Sequence, residues 1–128
     1  MALFSYNSYH KIITAAIVIA WVIFQFAGSS SSEGQYENGQ IKRIGSTVNG
    51  KNEGKWIWYY ENGNKKMEGS FINGKREGIW ITYNKAGRKS TMANYKNDQL
   101  DGDYSKWNEK GEIIEQLHYK NDKPLHKK

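Results

Sequence analysis

At 128 residues the chain is long enough for one domain, and an aromatic content of 14% beside a single proline points to a small core filled by flat rings. The absence of cysteine excludes a disulfide framework, a thiolate zinc site, a lipoprotein cysteine and a Cys nucleophile together. The net charge of +6 comes from 19 basic and 13 acidic residues closely interspersed, the pattern of a mixed, solvated surface.

Residues 12–28 read IITAAIVIAWVIFQFAG and carry no charge. As a helix this segment covers roughly 25 Å, short of a ~30 Å hydrocarbon core but able to span it with bilayer thinning or flanking rings. It has no polar face to turn toward water, so it is directed to a membrane. Two fates are open for residues 1–28. A signal peptide fits Lys11 before the apolar run and the small residues Ala27, Gly28 and Ser29 after it. A signal-anchor helix fits Trp21, Phe24 and Phe26, which suit an interfacial belt. Lys11 on one side and Glu33 and Glu37 on the other favour the N-terminus inside, with the remainder outside the cytoplasm, either anchored or exported after cleavage. Residues 29–35 are expected to be a Ser/Gly tether and residues 36–128 the folded domain.

That domain repeats itself every 24 residues. Asn49, Asn73, Asn97 and Asn121 form one column, Gly39, Gly63, Gly87 and Gly111 another, and Gly54, Gly78 and Gly102 a third. Aromatic residues keep the same period in Trp56, Trp80 and Tyr104, in Tyr59, Tyr83 and Trp107, and in Phe71, Tyr95 and Tyr119. Such self-similarity is the mark of a repeat architecture. Within a unit, residues 56–60 and 64–72 read as strands, so each unit is expected to be a β-hairpin. Asn62-Gly63 predicts a type I′ turn at its tip, and residues 73–78 a longer connection to the next unit. Strand alternation puts Met67, Gly69 and Phe71 on one face. Gly45, Gly69 and Ala93 then form a small-residue column beneath the rings of neighbouring hairpins, closed at the far end by Leu117. A lone hairpin is marginal in water, so the units must fold as one sheet. The expected fold is all-β, a meandering antiparallel sheet of stacked hairpins preceded by one hydrophobic helix.

The pattern G-x-W-x-x-Y-x-x-x-G, then M-E-G-S-F and N-G-K-x-E-G, seen in full at Gly54 to Gly63 with Met67 to Phe71 and again at Gly78 to Gly87, resembles the MORN repeat (membrane occupation and recognition nexus) in its bacterial variant. The third unit departs from it, with Tyr104 in the Trp column and Trp107 in the Tyr column. The resemblance implies a meandering antiparallel sheet, a role in protein or membrane association and no active site. Proteins of this variant are commonly grouped with the YwqK-type antitoxin family, which implies as an alternative role the neutralisation of a partner toxin.

No residue pattern argues for catalysis. His10, His118 and His126 belong to no metal-ligand motif, and His118 reads as a solvated or edge-strand residue. The abundant glycines mark turns, not a phosphate-binding loop. Glu53, Glu77 and Asp101 recur every 24 residues, and a periodic row of similar carboxylates suits turn capping, balanced by Lys51, Lys75 and Lys123, better than the two unlike carboxyls of a glycosidase. Basic residues beside rings, as at Lys55-Trp56, would suit a single strand of nucleic acid, but the rings fall in the packing columns, so no nucleic-acid partner is expected. Neither is a cofactor or a small-molecule substrate. The chain is therefore read as a non-catalytic binding module for a protein partner. Its candidate anchors are the exposed members of Ile57, Trp58, Ile81 and Tyr83, with the exposed face left open by the sequence.

Overall fold

The computed structural model describes residues 31–125, with side chains from residue 33. The hydrophobic helix expected within residues 1–28 lies outside the described residues. Among the described residues nine strands run in chain order across a single sheet: β1 (Ser31–Ser32), β2 (Arg43–Val48), β3 (Lys51–Tyr59), β4 (Lys65–Ile72), β5 (Lys75–Tyr83), β6 (Lys89–Lys96), β7 (Gln99–Trp107), β8 (Ile113–Lys120) and β9 (Lys123–Leu125). Every neighbouring pair is antiparallel, so the expected meander of stacked hairpins is what the chain forms. Ser31 and Ser32, within the expected tether, pair with Gly45 and Ile44 as a short edge strand.

The two kinds of turn are the reverse of the sequence expectation. Asn73 and Gly74 both have positive φ, 51° and 78°, and Ile72 pairs directly with Lys75, so the two-residue type I′ turn is here, between units. Asn97-Asp98 and Asn121-Asp122 repeat it with Asp in place of Gly, at φ values of 70° and 62°. At the other end Asn62 lies outside the positive-φ region and only Gly63 enters it. The Gly63 amide donates to the Tyr60 carbonyl and the Tyr60 amide to that of Asn64, which is the longer loop of a type I turn followed by a glycine bulge. Asn-Gly is compatible with both arrangements. Loop length decides between them.

The core is a line of rings on one face of the sheet. Trp56 is 1% exposed, Trp80 is 5% and Ala93 is 6%. A Cβ built on Gly45 would sit 2.0 Å from the Trp56 indole, and one on Gly69 would sit 2.2 Å from that of Trp80, so each ring lies directly on a glycine of the preceding strand. The register makes room for this. Between the pairs Ile44↔Ile57 and Ser46↔Glu53 the third strand carries two more residues than the second, and Gly54 takes φ 67° in that bulge. Each indole N–H then donates back to the strand it covers, Trp56 to the Ser46 carbonyl at 3.0 Å and Trp80 to that of Ser70 at 3.2 Å. Phe71 meets Trp80 edge-on at 4.9 Å, and Tyr95 meets it at 6.2 Å, so the ring contacts cross unit boundaries.

Candidate functional site: the aromatic face

Cross-strand pairing sorts the side chains between two faces. One row on the aromatic face runs Arg43, Trp58, Met67, Thr82, Thr91, Lys106 and Glu115, each the direct partner of the next. Beside it lie the buried rings, with Trp58 5.7 Å from both Trp56 and Trp80. Among these groups opens a groove of about 390 Å³ walled by Trp58, Phe71, Trp80, Tyr95 and Tyr104, with Thr82 and Thr91 in its floor. The two threonine hydroxyls bond to each other at 2.6 Å. At the rim the Arg76 guanidinium lies 4.0 Å from the centroid of Tyr95 and 2.6 Å from an Asp98 carboxylate oxygen, an ion pair that lowers the pKa of Asp98. Burial, assisted by Glu115, raises the pKa of the Tyr104 phenol, so this wall of the groove stays neutral.

The four anchor candidates do not share a face. All are half-buried, but only Trp58 belongs to the aromatic groove. Ile57 and Ile81 are both direct partners of Glu68 on the opposite face, where the Tyr83 hydroxyl donates to the Glu68 carboxylate. Glu68 also pairs with Lys55 at 3.3 Å and Lys65 at 3.1 Å. The Tyr83 bond, against the cost of burial and helped by the two lysines, holds the Glu68 pKa at about 2. Burial and the same bond raise that of Tyr83 to about 12. Three of the four candidates thus surround an internally satisfied ion cluster. Its contribution to stability is complete above the ordinary carboxylate pKa of 4.5 and is lost as the pH falls from there toward 2. Tyr83→Phe is expected to bring the Glu68 pKa up toward 4.5 in a carbon-detected NMR titration of its carboxyl group, and to flatten the fall in thermal stability over that window.

The periodic carboxylates cap turns. Glu53 accepts the Asn73 amide at 2.7 Å and Glu77 accepts the Asn97 amide at 2.8 Å, each reaching the type I′ turn of the next unit. Asp101 stands in the same column, and its carboxylate pairs with Lys120 at 2.9 Å. Backbone bonds repeat on the same edge, from Gly74 to Asn52, Asp98 to Arg76 and Asp122 to Leu100. At the opposite edge Tyr36 and Tyr60 donate to the carbonyls of Tyr59 and Tyr83, and Asn38 and Asn62 to those of Glu61 and Lys85. Both edges are therefore tied from unit to unit, and the groove sits on a braced scaffold. His118 is exposed but not on an edge strand, since it pairs with Asp103 of β7 on one side and Leu125 of β9 on the other, and its Nδ1 lies 2.8 Å from Asp103. It borders a second depression, of about 710 Å³, on the opposite face beneath β9.

Sequence reasoning singled out Trp58 but missed Thr82, Thr91 and Tyr104 as groove residues. A model of the MORN repeat variant matches residues 52–73 and 100–121, the hairpins of β3 with β4 and of β7 with β8. The two hairpins are thus similar to MORN repeats, modules that generally serve in binding. A search of characterised proteins returns no match to this chain.

Proposed function

We propose that this MORN-repeat chain is a non-catalytic scaffold that binds a protein partner through the aromatic face of its sheet, held at or beyond a membrane by residues 12–28. The supporting observation is the groove walled by Trp58, Phe71, Trp80, Tyr95 and Tyr104, an apolar concavity with a few polar groups on a sheet braced along both edges. Rigid aromatic side chains of this kind supply contact area at low entropic cost and dominate the energetics of interfaces. The opposite face is the weaker candidate because Ile57, Ile81 and Tyr83 already surround Glu68. The test is affinity capture of the full-length protein from its native membranes, in parallel with Trp58→Ala and Ile81→Ala, with N-terminal sequencing of the bait to read whether residues 1–28 are removed. A partner retained by Ile81→Ala and lost by Trp58→Ala supports the reading; the converse moves the interface to the other face.

A narrower form of the same proposal takes the partner to be a toxin, and rests on the resemblance to the YwqK-type antitoxin family. Its test is survival of cells expressing a captured candidate toxin, with and without this protein. Equal survival would dismiss it.

A further inference from the structure

In the first complete unit the direct cross-strand pair at the centre of the aromatic face is Trp58 with Met67. One period later the same pair is Thr82 with Thr91, and one period beyond that Lys106 with Glu115. The second unit therefore lacks the volume of an indole and a thioether at the place where the first unit is filled, and the groove opens there. Its floor is polar: the two hydroxyls share one hydrogen bond, which leaves a hydroxyl proton and further lone pairs for a ligand. Its walls are Trp58 on one side and Tyr104 on the other, with Trp80 between. Lys106, the direct partner of Thr91, is exposed and places a cation next to the floor.

From this geometry we infer that the Thr82/Thr91 slot receives one aromatic side chain of the partner, an indole or phenol whose N–H or O–H bonds to a threonine hydroxyl, and that a carboxylate adjoining that side chain meets Lys106. The chain itself shows what fits, since Trp58 fills the equivalent position one unit earlier. The inference rests on the reading of the aromatic face as the partner-binding face. An aromatic-bearing peptide satisfies the missing volume and the hydroxyl floor of the slot, and a carboxylate on it meets the Lys106 end of the flanking Lys106/Glu115 pair.

The probe is N-acetyltryptophan, with its uncharged amide as the companion ligand, titrated into the full-length chain in lipid nanodiscs and followed by the methyl resonances of Thr82, Thr91 and Met67. Saturable shifts at Thr82 and Thr91 are expected, with tighter binding of the carboxylate than of the amide, a preference that Lys106→Gln removes. The double variant Thr82→Trp with Thr91→Met copies the filled first unit, so it is expected to keep the sheet's circular dichroism and thermal midpoint while weakening the probe by about tenfold or more. Titration that leaves Thr82 and Thr91 unmoved overturns the inference, as does undiminished binding by the filled variant. The wider proposal is judged separately: a partner captured through Trp58 but indifferent to the filled variant removes the slot and keeps the face, whereas probe binding without any captured partner removes both readings and leaves only a small-ligand site.

Discussion

Gly69→Ala is expected to destabilise the domain by about 3 kcal/mol, at the upper end of what overpacking costs, and to lower its thermal midpoint by more than about 10 °C. The added methyl would sit 2.2 Å from the indole of Trp80, so that ring must shift and break the contacts that hold it. Its N–H is bonded to the Ser70 carbonyl, Phe71 packs against it at 4.9 Å and Trp58 at 5.7 Å. Backbone conformation does not enter, because Gly69 is not among the positive-φ glycines. Gly54→Ala is the matching control. There the methyl meets nothing within 4 Å, but φ is 67°, so the cost is expected to be that of a left-handed residue alone, about 1 kcal/mol. Thermal unfolding of the two variants checks the prediction, since the same substitution has a different cause and a different size at each site.

Trp56→Ala is expected to cost about 4 kcal/mol, which for a domain of ordinary marginal stability removes much of the folded population at physiological temperature. Trp56 is the most buried large side chain in the described part of the molecule, and it joins strands that belong to different units. Its ring covers Gly45, its N–H holds the Ser46 carbonyl, and Trp58 and Phe71 lean on it at 5.7 and 6.3 Å. Deletion leaves a cavity that the glycine beneath has no side chain to fill. Circular dichroism during urea titration is expected to show a midpoint far below that of Trp58→Ala, whose half-buried ring contributes chiefly to the groove.

How much of this was legible in the sequence follows from what the period carries. Glycine or alanine recurring opposite a ring is a statement about volume, so the columns Gly45, Gly69, Ala93 and Trp56, Trp80, Tyr104 were enough to predict rings lying on small residues. The carboxylate column was equally readable, because Glu53 and Glu77 recur with the period and each stands 20 residues before the turn amide it caps. Turn geometry was not, since Asn-Gly occurs at both ends of the hairpin and only the strand register fixes which loop has two residues. The face of each anchor was also hidden. Alternation within a strand relates Trp56 to Trp58, but which face is filled depends on the bulges at Gly54 and Gly78, which change how residues on neighbouring strands line up. The slot had a signal that went unread: the columns Trp58, Thr82, Lys106 and Met67, Thr91, Glu115 break the repeat's chemistry at the same step. In a repeat protein, a position that departs from its own column is where the scaffold has room for something else.

Residue-resolved amide hydrogen exchange of the intact protein tests most directly whether the units are one folded body. If rings laid across unit boundaries hold the sheet together, the central amides of the strands from β3 through β7 will open with a single free energy equal to that of global unfolding. Separate opening energies for the β3–β4 hairpin and the β5–β6 hairpin would contradict the account, for the groove would then lie across a joint instead of on a scaffold.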